Sequence, residues 1–259
     1  MKVQFLTWSA FRVVTDTGHT VLFDPYLSGH PDGGVPPSPI SVDGFDRVDF
    51  VVVTHSTDDH MGKAVDLVER YGAKLVCGKD TYFIAQDFGC PLKKLMRISA
   101  GGWFTYEGLW LKAIQAHHIS MRKRDTGVQL TGYPMSFYLR ECSGTTLFHG
   151  GDTSLHSDLG LFGELYPADV AILGIGKMIT AMRPASGFHK GGVLPPNEAA
   201  LACRMLRARN AIPVHYVPET GLGEEFCEMV TQHSPSTRPI IMTQGETLEF
   251  SHASSLVAV

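Results

Sequence analysis

Between a run of apolar residues and a glycine, the segment Thr54-His-Ser-Thr-Asp-Asp-His-Met-Gly62 places His55 and His60 on either side of Asp58 and Asp59. Imidazole and carboxylate together suit a zinc, manganese or iron ion, and either group can also carry a proton in catalysis. Helix capping is the plain alternative, since Ser56, Thr57, Asp58 and Asp59 are all good N-cap residues. Capping accounts for one of them and leaves the two histidines unexplained. Three further segments repeat the arrangement. Leu109–Ala116 runs into His117-His118, Thr145–His149 into Gly150-Gly151-Asp152, and Ala211–Val214 into His215-Tyr216. A lone Gly-Asp is ordinary turn chemistry, and a lone histidine at a strand end is more often a hydrogen-bonded core residue. Four apolar runs that each deliver His or Asp point to one shared site.

Strands must position these residues. Asp49–Thr54 is continuously apolar and reads as a strand buried on both faces. Val3–Leu6, Phe11–Thr15 and Thr20–Phe23 are β-prone, with Asp16-Thr-Gly-His19 as a hairpin turn. The proline-rich stretch Ser28–Ser41 reads as a long loop, which in a compact domain is more often functional than idle. Helices are expected over Lys63–Tyr71, ended by Gly72, and over Thr81–Phe88, opened by Asp80 as N-cap. Beyond Gly89 the pattern is β-rich: Leu109–Ala116, Ser136–Glu141, Thr145–His149. The last third alternates again, through strand Val170–Leu173, helix Asn197–Ala208, strand Ile212–His215, helix Glu224–Gln232 and strands near Ile240 and Leu248. Interleaved strands and helices in both halves fit two sheets packed face to face with helices outside.

Composition narrows the partners. With 22 basic and 26 acidic residues among 259, the net charge is −4, so a nucleic-acid backbone is not an expected partner. No run of about eighteen apolar residues is present to cross a bilayer. The first residues turn polar at Ser9 and Arg12 and read as a strand rather than a secretory signal. Five cysteines without close spacing read as reduced thiols, hence a cytoplasmic protein. No repeat, low-complexity tract or charge run divides the chain, so residues 1–259 are expected to form a single domain.

Taken together, the segments resemble the metallo-β-lactamase-like hydrolase superfamily, whose motif is His-x-His-x-Asp-His followed by a later His, a Gly-Asp and a final His. The closer resemblance is to its stand-alone metal-dependent hydrolase branch, which includes the L-ascorbate 6-phosphate lactonases. That branch often opens with a Gly-His-Ser-Ala-Phe-like strand and an Asp-Pro, which here stand as Thr7-Trp8-Ser9-Ala10-Phe11 and Asp24-Pro25; Ile212-Pro-Val-His-Tyr216 matches its ending. The resemblance implies an α/β fold, an αββα four-layer sandwich. It implies that Asp59, His60 and His215 hold one metal, that His55 and His118 hold the other, and that Asp152 bridges both. The family spacing from Ala116 favours His118 over His117.

Thr57 departs from the pattern, standing where the second motif histidine belongs. A threonine hydroxyl is a poor ligand for a transition metal, so one tightly bound Zn or Mn (or Fe) is expected rather than two, with Asp58 or His117 available to compensate. Trp8 likewise replaces a histidine that relatives often place near the site. By the resemblance, a metal-bound hydroxide, made accessible near pH 7 by the ion, attacks the scissile bond. Asp152 would position it, Asp59 would assist its deprotonation, and His117 would serve as donor or general acid. Arg122 and Arg124, which follow His118, and His189 and Lys190, in a lid-like segment from Lys177 to Gly192, are the candidate substrate-binding residues. The expected activity is hydrolysis of a small anionic molecule, a lactone or cyclic ester first. A phosphodiesterase is the alternative within enzymes, and a catalytically weakened metal-binding or ligand-sensing relative the alternative outside them. Assembly into a homo-oligomer is an expectation that the resemblance allows.

Overall fold

The computed structural model describes residues 1–176 and 192–252. The first third lays down β1 (Lys2–Thr7), β2 (Ala10–Val14), β3 (Thr20–Phe23) and β4 (Phe50–Val53). The short helix α1 (Asp58–Met61) and the longer α2 (Ala64–Tyr71) follow, then β5 (Lys74–Cys77), α3 (Lys79–Asp87) and β6 (Leu95–Arg97). The middle supplies β7 (Trp103–Tyr106), β8 (Leu109–Gln115), β9 (Ser120–Lys123), β10 (Gln129–Gly132), β11 (Met135–Arg140) and β12 (Thr146–His149). The last third adds α4 (Asp158–Leu165), β13 (Val170–Gly174), α5 (Pro196–Met205), β14 (Asn210–Val214), α6 (Leu222–His233), β15 (Arg238–Pro239) and β16 (Thr247–Glu249).

Two seven-stranded mixed sheets result, in the orders β16-β1-β2-β3-β4-β5-β6 and β15-β14-β13-β12-β11-β8-β7. The period of two along each strand sorts its side chains between layers. In β4, Phe50 and Val52 face the opposite sheet while Val51 and Val53 face α2 and α3. In β13, Val170 and Ile172 point inward, and Ala171 and Leu173 pack under the outer helices α4, α5 and α6. Strands buried on both faces need apolar residues throughout, which is why the most useful apolar runs in the sequence are these. The stacking is helix, sheet, sheet, helix. It is the metallo-β-lactamase fold, an αββα sandwich.

Most expected elements stand within a residue or two of their predicted bounds, and the exceptions have physical reasons. Helix α2 ends as expected at Gly72, whose left-handed backbone (φ 66°) lets its N–H cap the Val68 carbonyl. Helix α3 starts earlier than predicted, with Gly78 as N-cap. Asp80 is not the cap, because it lies buried in the first turn and accepts a hydrogen bond from the Ser120 hydroxyl. Helix α4 has no counterpart among the expectations, since Gly160 and Gly163 weaken its helical signal. The structure needs Gly163, where a Cβ would lie 2.0 Å from the Met205 carbonyl oxygen of α5. The segment after His118 is not an open loop but the hairpin β9–β10, a two-stranded sheet of its own. Within Ser28–Ser41, His30 bridges back to Val35 across a 3-10 turn at Pro31–Gly33. Of the lid-like segment, only Gly192 falls within the described residues, so His189 and Lys190 lie outside them. No helix among the described residues is long and apolar enough to cross a membrane.

Candidate metal centre

One edge of the sandwich collects the strand ends. β4 leads to His55, β12 to Asp152 and β14 to His215, while His118 follows β8 and the turn joining β1 to β2 supplies Trp8. The ring or carboxylate atoms of His55, His118 and Asp152 lie within 4.8 Å of one another, and so do those of Asp59, His60 and His215. Asp152 stands between the two trios. Its Oδ1 faces His60 Nε2 at 3.3 Å, and its Oδ2 lies 3.2 Å from His215 Nε2 and 3.6 Å from His118 Nε2. Gly151 lets the chain deliver this carboxylate. Its backbone has φ 55°, and a Cβ there would meet the Thr54 side chain at 2.7 Å.

Beneath the trios lies Asp24, at the end of β3 and fully buried. It accepts hydrogen bonds from the Thr54 N–H and hydroxyl, both at 2.8 Å, and is bonded to His60 Nδ1 at 2.9 Å and His149 Nε2 at 3.0 Å. With Nδ1 occupied by a carboxylate, His60 turns Nε2 toward Asp152, the usual way a ring nitrogen is aimed at a metal. Burial opposes charge on His60, but Asp152 and Asp24 outweigh it and raise its pKa well above the ordinary histidine value. His55 shifts the other way, from 6.5 to about 3, chiefly through burial and then through the neighbouring His60 ring. Burial alone would raise Asp152, Asp59 and Asp24, yet the surrounding imidazoles hold all three well below the usual carboxylate range.

Three buried atoms, His60 Nε2, Asp152 Oδ1 and His215 Nε2, make no hydrogen bond of good geometry, although His60 Nε2 lies 3.3 Å from Asp152 Oδ1 and His215 Nε2 lies 3.2 Å from the other Asp152 oxygen. Buried polar atoms in folded proteins are rarely left so. Three that converge, two imidazole nitrogens and a carboxylate oxygen, form a donor set that a divalent cation fits.

Other residues singled out in the sequence are placed differently. Thr57 occupies the N-cap position of α1 but makes no capping bond, and its buried hydroxyl has no partner. Asp58 pairs with Arg122 on the outer side. His117 lies outside both trios and stacks on His156, with ring centroids 4.1 Å apart and planes 15° from parallel. The two residues expected to compensate for Thr57 are therefore engaged elsewhere. Arg122 also reaches the Ser56 carbonyl at 3.3 Å and lies over the Phe88 ring, pinning the motif loop to β9. Arg124 is held by both oxygens of Asp87 on α3. Both arginines, expected from the sequence to bind substrate, are thus ion-paired with carboxylates. A cavity of about 430 Å³ opens beside His117 and His118, bounded by Ser120, Thr131 and Tyr133.

Sequence reasoning assigned no role to Asp24 or His149. The available signal was Asp24 itself, since a carboxylate ending a strand as apolar as Thr20–Phe23 must be met by donors.

The Beta-lactamase superfamily domain matches residues 19–216 of the chain. The chain belongs to that superfamily. Within it, the chain is 33% identical to a UPF0173 metal-dependent hydrolase of Nitratidesulfovibrio vulgaris, over 94% of each chain. It is also 33% identical to one from Thermococcus kodakarensis, covering 96% of this chain and 99% of the relative. Among solved structures it is similar to Igni18, a metallo hydrolase from Ignicoccus hospitalis, with 26% identity, a TM-score of 0.75 and coverage of 96% of this chain and 99% of that one. With such relatives at 33% identity over nearly its whole length, the chain belongs to the UPF0173 metal-dependent hydrolase family.

Proposed function

We propose that the protein hydrolyses a cyclic ester, a lactone first, in a small-molecule substrate. The convergence of His60 Nε2, Asp152 Oδ1 and His215 Nε2 carries the metal centre of this reading, and the family resemblance supports the cyclic ester. Asp59, His60 and His215 would hold the principal metal together with Asp152, and His55 and His118 would share Asp152 at a weaker second position. Imidazole and carboxylate donors without a thiolate favour Zn or Mn. When bound, such an ion supplies Lewis-acid polarisation of the scissile carbonyl oxygen and lowers the pKa of water toward about 7. The chain's own groups set the geometry. Asp24 fixes the His60 ring through Nδ1, and Asp152 orients the attacking oxygen between the trios. Asp59 would assist its deprotonation through hydrogen bonding rather than by holding the proton, since its carboxyl is kept well below the usual range. His117 lines the same cavity as His118 and donates to the developing oxyanion.

Thr57 favours one tight ion over two, because the His55 and His118 trio has no third imidazole. The same gap supports a second reading, a metal-binding relative with weakened turnover. Metal content by inductively coupled plasma mass spectrometry separates these, run with a screen of paired neutral and anionic lactones and of phosphodiesters. About one equivalent with lactone turnover is the expected result. Phosphodiester turnover alone would replace the substrate class, and metal without turnover of either would favour the weakened relative. Because Arg122 and Arg124 face Asp58 and Asp87, the neutral and anionic pairs test the anionic expectation directly.

A further inference from the structure

Trp8 is the first of two residues joining β1 to β2, in a hairpin whose register shifts between Phe5 and Thr7. Its backbone lies in the left-handed region at φ 51°. That conformation favours glycine, and a bulky side chain adopts it only where the surroundings compel it. Three contacts explain what compels it here. The indole Nε1–H donates to Asp59 Oδ2 at 3.2 Å. The indole ring packs on the His215 imidazole with centroids 4.1 Å apart. The Trp8 carbonyl accepts the His215 backbone N–H at 3.2 Å, and His215 is itself left-handed at φ 65°. Two strained residues therefore lean on each other at one wall of the centre. Backbone strain held by its surroundings clusters at functional sites, and this pair is an observed instance from which to argue. His55 and His118 are held differently, by the Thr54 hydroxyl at 3.0 Å from His55 Nδ1 and by the Gly192 backbone against His118, with no indole donor or ring beside them among the described residues.

We infer that Trp8 is a positioning residue that fixes Asp59 and His215 as a preset pair, making their trio the tighter metal site. The inference rests on the proposed metal-centre reading. The indole N–H bonds Asp59 Oδ2, the same oxygen that lies 3.5 Å from His215 Nε2, and so restrains the carboxylate toward its trio, while the ring, tilted 42° against the imidazole, and the Trp8 carbonyl together set His215. A positioning group of this kind typically contributes about 10–100-fold in metal affinity.

Zinc titration in competition with a chromophoric chelator tests this on the wild type, Trp8→Phe and Trp8→His. Phe keeps the ring and removes the donor, while His restores a donor of the type that relatives often carry. The expected result is a roughly 10–100-fold loss at the tightest equivalent in Trp8→Phe, partial recovery in Trp8→His and an unchanged weaker equivalent. A Trp103→Phe/Trp110→Phe double variant leaves Trp8 as the sole tryptophan of three and keeps the brace intact. Its fluorescence should be quenched by one equivalent of Co²⁺. Wild-type zinc affinity in Trp8→Phe, equal weakening of both equivalents, or no quenching of Trp8 while cobalt binds would each overturn the inference. Absence of zinc binding by the wild type would instead remove the metal-centre reading on which it stands.

Discussion

The two trios that share Asp152 are built from unlike materials. Asp59, His60 and His215 are braced from three directions: by Asp24 below, by Trp8 at the side and by Asp152 in front. His55 and His118 share Asp152 and have lighter support behind them, the Thr54 hydroxyl at 3.0 Å from His55 Nδ1 and the Gly192 backbone against His118, beside a Thr57 whose hydroxyl meets nothing. Their surroundings also push the buried rings apart electrically. His60 lies between two carboxylates and is raised, whereas His55 lies under burial and beside His60 and is lowered. A shared bridging carboxylate thus does not make two sites equivalent. The difference lies in the groups behind the ligands, which aim the donor atoms and keep them aimed.

The harshest way to break the comparison is to remove the support beneath the stronger trio. Asp24→Ala leaves His60, His149 and the Thr54 donors buried without their carboxylate. It should cost about 3–5 kcal/mol, as expected for breaking a buried, paired charge. Urea denaturation of the metal-free protein measures this directly, and an unchanged midpoint would show that Asp24 supports nothing.

Next in size is the metal balance. His215→Ala should remove the tight equivalent, and a mild chelator should then strip whatever remains. His118→Ala should leave that tight equivalent in place. Equal losses in the two variants, read by mass spectrometry after dialysis, would mean that the trios are equivalent after all. In the opposite direction, Thr57→His gives the weaker trio an imidazole and should raise metal content toward a second equivalent.

The opposed histidines give a pH signature in the metal-free protein. His55 binds its proton less readily folded than unfolded, so stability should fall as pH drops from 6.5 toward about 3. His60 binds its proton more readily when folded, so stability should also fall as pH rises above the ordinary histidine range toward its raised value. Melting temperature should therefore peak near neutral pH. In His55→Gln the limb between 6.5 and the ordinary carboxylate range should flatten, while the further loss at lower pH, due to Asp24, Asp59 and Asp152, and the alkaline limb should stay. The smallest expected effect is that of Asp58→Ala, since Asp58 is largely exposed. Loss of its pair with Arg122 should cost no more than about 1 kcal/mol.

The sandwich and the gathering of strand ends were legible because both follow from short-range rules. An apolar run marks a buried strand, and chemistry-bearing residues just past several such runs meet at one edge. What escaped depends on partners distant in sequence. Arg122 and Arg124 look like free cations until the fold sets Asp58 and Asp87 against them. Asp24 and His149 are 125 residues apart yet share a hydrogen bond, and nothing local announces it. Trp8 was legible only as a missing histidine, because the positive φ that turns its indole toward Asp59 is set by a hairpin bulge. Helix α4 was hidden by the very glycine that its crossing with α5 requires.

Asp24 carries a consequence beyond the centre it supports. It ends a strand of one sheet, His149 ends a strand of the other, and the bond between them is buried where the layers meet. A single carboxylate therefore serves both the His60 ring, a candidate ligand, and the seam of the sandwich. Occupancy at the centre and cohesion of the two halves become linked quantities, so an ion bound only by the folded state should raise the melting of the whole domain in one cooperative transition. The protein would then report its metal supply through its lifetime as well as through its turnover.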